Sequence, residues 1–264
     1  MGNINILQEI AERAKERVEV NKQKQSLKDI AALAGSVKGN DFLFERSLKT
    51  EDIALIGEVK KASPSKGLIA EDFPYLDIAQ EYESAGVAAV SVLTEPYYFK
   101  GDDRYLSEIA RRVHLPLLRK DFTVDSYMIY EAKVLGASAV LLIISLLDNK
   151  TLTEYISIAH SLGLSALVEA HSESEVEIAL NVGARIIGVN NRDLKTFEVD
   201  ITLSERLRKI VPHDKIFVSE SGVSSPNDIA RLREIGADAV LIGETIMRSA
   251  DKKGEIRRLL GKGS

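Results

Sequence analysis

One pattern recurs along the chain: an amphipathic helical segment, a glycine, and then a short apolar run. It occurs at 82–90, 132–140 and 232–240, and its helix–glycine part returns at 159–163 and 178–183. The glycine suits the position just after a helix, where a left-handed backbone costs least in that residue. The run that follows is continuously apolar, which is typical of a strand buried on both faces. Alternating helices and strands of this kind predict parallel pairing with right-handed crossovers.

Eight apolar runs qualify as strands, and a helix fits after each. We predict strands at 53–59, 87–93, 115–119, 138–144, 164–169, 185–189, 215–219 and 238–242, and helices that begin near Tyr75, Asp103, Val124, Lys150, Glu173, Thr202, Pro226 and Thr245. Ser172, Asp200 and Ser225 are predicted helix caps or near-caps. Eight βα units in 264 residues predict the α/β class and a closed (β/α)₈ TIM barrel. An open doubly wound sheet is the alternative, but the glycine fingerprint usual in its first turn is absent.

Residues 1–48 precede the first predicted strand, and we expect them to form a helical extension packed on the barrel of residues 49–264. Ile6, Ile10, Ala14 and Val18 recur at helical spacing between charged residues, which predicts an amphipathic helix. A second short helix is predicted near 27–34, followed by a linker. Extension and barrel together are expected to make a single domain.

Composition narrows the classes of function. The chain has no cysteine, and its four histidines lack the spacing of metal ligands, so we expect no metal. A formal net charge of −5 disfavours nucleic acid as the main partner, although a local pocket can still attract a small anion. We see no signal peptide and no apolar run long enough to span a bilayer. We therefore expect a cytoplasmic protein, a monomer, that acts on a small molecule without nucleic acid or membrane.

Ionisable residues stand at the downstream ends of the predicted strands. Glu58 and Lys60 follow the first run, Lys120 the third and Glu169 the fifth. Because parallel strands of a closed sheet end at one mouth, these side chains should converge on a pocket, where they can shift one another's pKa. Alternation places Glu58 and Lys60 on the same side and sends Lys120 away from its two neighbours. The alternatives are a surface ion pair, a snorkelling lysine, and a lysine that forms an imine.

Two further strand ends carry polar groups. Asn190 and Arg192 alternate onto one side and offer an amide and a fork-shaped cation for a carboxylate or an oxyanion. Asn191 is interpreted as a turn residue. His171 lies past its strand end, and we expect it to cap a helix or to face solvent.

The last two strand–helix junctions, SESG (219–222) and GET (243–245), are predicted to bind phosphate. In closed barrels the loops after strands seven and eight commonly hold phosphate, and glycines at 222 and 243 would let backbone N–H groups approach closely. Glycines needed only for tight turns are the alternative. Phe99 and Phe122 could form the wall of a slot for an aromatic ring, or the aromatic residues near 97–99 could only pin a loop.

At these residues the chain resembles the indole-3-glycerol-phosphate synthase family of tryptophan biosynthesis, over essentially its whole length. The most specific segments are EVKKASPSKG (58–67), LTE (93–95), YFKG (98–101), RKDF (119–122), LVE (167–169), NNRDL (190–194) and SESG (219–222). Ala170 and Ser219 stand where Val and Ala are commoner in the family, and Gly243-Glu244 stands where Gly-Ser is often seen.

The resemblance implies a (β/α)₈ barrel with an N-terminal helical extension, and a carboxy-lyase that needs no cofactor. The implied substrate is 1-(2-carboxyphenylamino)-1-deoxy-D-ribulose 5-phosphate, which undergoes ring closure, decarboxylation and dehydration to indole-3-glycerol phosphate by acid–base catalysis. By resemblance, Lys120 is the acid at the ketone oxygen. Glu169 stabilises the cationic intermediate or acts as a base, and Glu58 takes the proton during dehydration.

The resemblance also implies the groups that hold the substrate. Lys60 and Arg192 suit its carboxylate, and Lys60 is a second candidate for the acid of the dehydration step. Asn190 would orient substrate hydroxyls or Glu58. The remaining implied contacts are Ser63, Phe99, Phe122, Glu220 and Ser221 with the substrate, and Gly222, Gly243 and Glu244 with its phosphate.

Two rival functions stay open on the sequence alone. The first keeps the barrel but makes Lys120 the imine-forming lysine of an aldolase. The second is a catalytically silent barrel that binds a phosphorylated metabolite as a regulatory or scaffolding subunit. The presence of Glu58, Lys60, Lys120 and Glu169 together argues against the second.

Overall fold

The structure is a computed structural model that describes residues 6–39, 41–193 and 196–262. The first five residues, on which the expectation of no signal peptide partly rests, lie outside the described part of the chain. Leu194 of the NNRDL segment lies outside it as well. Within the described ranges, none of the helices combines the length and the apolar character that a bilayer crossing requires.

Eight parallel strands close into a barrel, which confirms the predicted fold class. The strands are β1 (Ala54–Val59), β4 (Ala89–Leu93), β5 (Leu117–Lys120), β6 (Ala139–Ile143), β7 (Ser165–Ala170), β8 (Ile186–Asn190), β9 (Ile216–Glu220) and β10 (Ala239–Ile242). Each strand pairs with the next around the ring, and the ring closes where Leu55 of β1 pairs with Val240 of β10. All eight lie within two residues of the predicted bounds. A two-stranded hairpin, β2 (Ala62–Ser63) and β3 (Gly67–Leu68), was not predicted and forms in the loop after β1.

Helices alternate with the barrel strands and surround them. They are α1 (Ile6–Lys24), α2 (Leu27–Ser36), α3 (Leu43–Ser47), α4 (Tyr75–Ala85), α5 (Asp103–Arg112), α6 (Ser126–Leu135), α7 (Asn149–Ser161), α8 (Glu173–Asn181), α9 (Thr202–Arg208), α10 (Pro226–Glu234), α11 (Glu244–Arg248) and α12 (Lys252–Leu259). The eight predicted starts agree within two residues. The predicted start at Val124 moves to Ser126 because the Asp125 carboxylate accepts a hydrogen bond from the Tyr127 N–H and caps α6 there.

The predicted caps occur at the expected helix ends. The side chains of Ser172 and Ser225 cap α8 and α10, and Ser225 forms a reciprocal capping box with Asp228. The Asp200 carboxylate accepts the N–H of Thr202, one residue before the cap position of α9. At the C-terminal end of α4, Gly86 has a φ of 81°, which is the left-handed conformation that its place in the recurring pattern predicts.

The N-terminal residues wrap the barrel from one end to the other. Leu7 and Ile10 of α1 join the apolar cluster inside the barrel, at the carboxyl ends of the strands. The prediction of a linker after the second helix is wrong in part. The helix α3 forms there, and Phe44 and Leu48 are buried. The N–H of Glu45 donates to the Ser165 hydroxyl at the start of β7, so α3 covers the opposite, amino-terminal end of the barrel.

Candidate active site

A cavity of about 590 Å³ opens at the carboxyl ends of the strands. All of the predicted site residues line it: Glu58, Lys60, Ser63, Phe99, Lys120, Phe122, Glu169, Asn190, Arg192, Glu220, Ser221, Gly222, Gly243 and Glu244. They come from β1, β5, β7, β8 and β9, from the loops that follow the strands, from the hairpin strand β2 and from the first residue of α11. In a closed parallel barrel the strand ends form a single rim, so residues far apart in sequence share one pocket.

The ammonium group of Lys120 lies between two buried carboxylates. Its Nζ is 3.3 Å from Glu169 Oε2 and 3.3 Å from Glu220 Oε2. Burial opposes the charge on Lys120, but the carboxylates of Glu220, Glu169 and Glu58 outweigh it and raise the pKa of Lys120 above the ordinary lysine value. The side chain therefore remains an ammonium at neutral pH. This state suits a proton donor and disfavours an imine-forming amine, which must be neutral to attack.

The two carboxylates beside Lys120 differ in pKa. Burial alone would raise the pKa of Glu169, but Lys120, His171 and a hydrogen bond with Asn190 lower it below the ordinary value. Burial raises the pKa of Glu220 to about 7, since Lys120 offsets only part of the cost and the charge of Glu169 adds to it. One carboxylate is thus ionised near neutral pH while the other is close to its midpoint, an arrangement found where one group must accept a proton and another must hold one.

Glu58 and Lys60 form a second acid–base pair at the end of β1. Their side chains are 2.6 Å apart, Glu58 Oε1 to Lys60 Nζ, and only 5% of the Glu58 side chain is exposed. Gly243 faces this pair from the end of β10. A Cβ at position 243 would lie 2.5 Å from Glu58 Oε1 and 3.0 Å from Lys60 Nζ, so a larger residue there would displace the pair from this geometry.

The charged neighbours of Lys120 take part in a buried ion network. Arg119 lies outside the cavity lining, as alternation predicts, whereas Asp121 also lines the cavity, which alternation did not predict. Asp121 is fully buried and accepts hydrogen bonds from Arg17 of α1 at 2.7 Å and from the Thr94 hydroxyl at 2.6 Å. Arg119 is 1% exposed and donates to Asp103 and Glu131 at 2.6 and 2.7 Å. The residues on either side of Lys120 thereby hold its backbone.

Cations gather around Glu244 at the predicted phosphate end. Its carboxylate is 3.6 Å from Lys66, 3.1 Å from Arg248 and 4.0 Å from Arg192. Arg192 Nη1 also donates to the carbonyl of Phe197 at 3.1 Å. Glu244 therefore holds cations at the rim that an anionic group of a ligand could share.

The opposite rim is aromatic. The rings of Phe99 and Phe122 lie 6.1 Å apart at 41° and face the cavity. The Glu95 carboxylate accepts the backbone N–H groups of Tyr97, Tyr98 and Phe99, which pins the loop that carries them. Phe99 and Phe122 thus line the cavity, and the loop is held by Glu95 rather than by its aromatic side chains.

The interpretation of Asn191 as a turn residue is wrong. Asn191 is 2% exposed, and its amide donates to the Ser219 hydroxyl and to the carbonyl of Ser221. Its Oδ1 accepts from the N–H and the hydroxyl of Ser204. Asn191 thus joins β8, β9 and α9 below the rim, and Ser219 gives this link a hydroxyl partner.

The prediction for His171 is half right. Its backbone N–H donates to the Glu175 carboxylate, so the residue takes part in the cap of α8. Its ring does not face solvent, because only 19% of the side chain is exposed and Nε2 lies 3.4 Å from Glu169 Oε1. No periodicity signals this inward turn. Leu7 and Ile10 of α1 also line the cavity; the helical spacing predicted an apolar face that includes Ile10, but sequence reasoning did not assign either residue to the site.

Comparisons with known proteins match one family over nearly the whole chain. A sequence model of the family described as indole-3-glycerol phosphate synthase matches residues 7–259. An indole-3-glycerol phosphate synthase from Ruminiclostridium cellulolyticum is 56% identical over 257 residues, covering 97% of this chain and 99% of the relative. One from Lachnoclostridium phytofermentans is 48% identical over 266 residues, covering 96% and 98%.

Solved structures show the same fold at low sequence identity. The 3-hexulose-6-phosphate synthase of Salmonella typhimurium superposes with a TM-score of 0.65 at 17% identity, over 78% of this chain and 96% of that one. A mutant tryptophan synthase alpha-subunit from Pyrococcus furiosus gives 0.60 at 17% identity, over 80% and 98%.

Proposed function

The chain belongs to the indole-3-glycerol phosphate synthase family, and on that premise we propose how its pocket divides the chemistry among its residues. The reaction is that of a carboxy-lyase of tryptophan biosynthesis: 1-(2-carboxyphenylamino)-1-deoxy-D-ribulose 5-phosphate is closed, decarboxylated and dehydrated to indole-3-glycerol phosphate. Ring closure joins the aromatic carbon that bears the carboxylate to the ribulose ketone. The cationic nitrogen formed then accepts the electrons released with CO₂.

Lys120 is the proposed acid of ring closure. Negative charge develops on the ketone oxygen as the carbon–carbon bond forms, and an ammonium fixed in a buried site stabilises such charge more strongly than water does. The observation that carries this role is the position of Lys120 Nζ, 3.3 Å from each of two buried carboxylates that keep it charged.

Glu169 is proposed to face the cationic intermediate. Its pKa is lowered by Lys120, by His171 and by Asn190, so it meets that intermediate as an anion. Glu58 and Lys60 then suit the dehydration step, since a base and an acid 2.6 Å apart can remove a proton and protonate the leaving hydroxyl. Lys60 and Arg192 are also placed to hold the substrate carboxylate before it leaves.

The two ends of the substrate suit the two rims. The aromatic ring would lie against Phe99 and Phe122. The phosphate would lie near Ser221, Gly222 and Gly243, with Lys66 beside Glu244 as a counter-charge. Ser221 and Gly222 have φ of 66° and 89°, so the backbone turns in the left-handed region at the proposed phosphate site.

We also propose that the protein works as a cytoplasmic monomer without nucleic acid or a membrane partner. The helix α3 covers the amino-terminal end of the barrel, which is compatible with a monomer, and the net charge of −5 repels a polyphosphate backbone. A phosphorylated substrate belongs in the cytoplasm, because its charge makes crossing a bilayer costly.

Turnover of the authentic substrate tests this assignment. We expect purified protein, without added metal, to release CO₂ and produce indole fluorescence, and Lys120→Ala to lower kcat by about 10²–10⁴-fold because it removes the acid. Lys28→Ala on the exposed face of α2 is the matched control and should keep wild-type turnover. A folded wild-type protein that binds the substrate without converting it would refute the proposed chemistry. A borohydride-trapped adduct on Lys120 would favour the aldolase rival.

A further inference from the structure

His171 lies between the active-site carboxylate Glu169 and a second carboxylate on the next helix. Its Nε2 is 3.4 Å from Glu169 Oε1, and its Nδ1 is 3.5 Å from Glu175 Oε2. The backbone N–H of His171 donates to the same Glu175 oxygen at 2.6 Å. Glu175 therefore holds both the backbone and the ring, and directs the far nitrogen at Glu169.

Glu169 has different partners for its two carboxylate oxygens. Oε2 accepts from Lys120 at 3.3 Å, whereas Oε1 faces His171. Nε2 of His171 is buried and has no hydrogen-bond partner within the described ranges. A small shift of either side chain on substrate binding would complete a hydrogen bond, and such bonds are often long before the substrate arrives.

We propose that His171 is a positioning residue: held by Glu175, it orients Glu169 and keeps it ionised during turnover. The proposal rests on the role given above to Glu169 as the anion that faces the cationic intermediate. His171 does not touch the substrate in this assignment and acts only through Glu169.

The charges around this unit support an imidazolium at position 171. His171 faces Glu169 on β7, Glu175 on α8 and Glu220 on β9, while Lys120 on β5 contacts Glu169 and Glu220. Burial alone would lower the pKa of His171, but Glu175, Glu169 and Glu220 together raise it above the ordinary histidine value. A cation at this place matters because Glu220 is a second carboxylate beside Lys120 and competes with Glu169 for its charge.

The pH dependence of kcat distinguishes this role from a structural one. His171→Gln keeps an N–H donor but removes the charge, which raises the pKa of Glu169 in the complex. The acid limb of the kcat–pH profile should therefore move to higher pH by about one unit, with KM little changed. Glu175→Gln should move the limb in the same direction by less, because the ring of His171 is then held less firmly with Nε2 toward Glu169.

His114→Gln is the matched control. His114 forms a similar pair with Glu83 at 3.4 Å, but its side chain is fully exposed and lies outside the cavity. Its profile should superpose on that of the wild type.

Each remaining outcome has a defined meaning. If kcat falls by the same factor at every pH in both His171→Gln and Glu175→Gln, or if both profiles match the wild type, the proposal is overturned. If His171→Gln does not fold, as judged by circular dichroism, Glu175→Gln alone decides. If the wild type makes no product, the proposed function fails instead, and the two failures are thus separable.

Discussion

At the scale of single residues, the site depends on three ionisable groups, in which one ammonium group faces two buried carboxylates. Lys120 supplies one positive charge to Glu169 and Glu220, both 2% exposed or less. Two buried carboxylates around one ammonium cannot both be ionised without cost, so their pKa values separate. The arrangement keeps one group ionised and the other ready to exchange a proton, at the expense of stability.

The substitution Glu220→Gln tests how much stability this arrangement costs. The pKa of Glu220 is raised in the folded protein to about 7 from an ordinary value of 4.5. The folded state thus binds this proton more tightly than the unfolded state, and the stability it gives is lost as pH rises from about 4.5 to 7. Gln does not titrate, so the free energy of unfolding of the variant should rise relative to that of the wild type across this pH range, by up to about 3 kcal/mol above pH 7. Thermal unfolding at pH 5 and pH 8 measures this, and an equal difference at both values would contradict it.

At the scale of elements, α1 is tied to the strand that carries Lys120. The pair between Arg17 and Asp121 joins the helix to the end of β5, and Leu7 and Ile10 of α1 line the cavity. We propose that residues 1–48 and the barrel of 49–264 form a single domain on this basis, because the two parts share one apolar cluster and one buried ion network.

Arg17→Ala should therefore affect both stability and function. The substitution leaves buried Asp121 with three partners: the Thr94 hydroxyl, the Phe122 N–H and the more distant Arg119. The loss of Arg17 should lower the free energy of unfolding by about 2–3 kcal/mol. KM should rise as the α1 wall loosens. Urea unfolding and steady-state kinetics measure the two effects.

Lys15→Ala on the same helix is the control, because the Lys15–Glu12 pair is exposed on both sides and should leave both quantities unchanged. If Arg17→Ala has the same free energy of unfolding as this control, the Arg17–Asp121 pair does not anchor the helix.

At the scale of the whole molecule, closure removes the sheet edges. Every barrel strand has two strand neighbours, and β1 pairs with β10 over Ala54–Gly57 as regularly as β7 pairs with β8. Backbone groups at the junction are therefore as well satisfied as those elsewhere in the ring.

Hydrogen exchange should show this directly. Amides of β1 and β10 should exchange as slowly as those of β7 and β8, since all must wait for opening of the barrel. The exposed hairpin strand β3 should exchange orders of magnitude faster. Faster exchange confined to β1 and β10 would mean that the ring opens at that junction first.

The order and the bounds of the elements could be read from the chain because they depend on local chemistry. The glycines that end α4 and α6, the serines that start α8 and α10 and the continuous apolar runs each act within a few residues. The hairpin after β1 and the helix α3 escaped because neither has periodicity of its own. They form where tertiary neighbours bury or pair them.

The set of residues that line the pocket could also be predicted from the sequence, since parallel strands must end at one rim and their last residues must meet there. The distances and the charge states of these residues could not be predicted. That Lys120 lies equally far from Glu169 and Glu220, that His171 turns inward and that Asn191 is buried depend on closure. Closure brings Lys120 within 4 Å of residues that are 49 and 100 positions away in the chain. A pKa depends on burial and on all neighbouring charges at once, and the linear order of residues contains neither quantity.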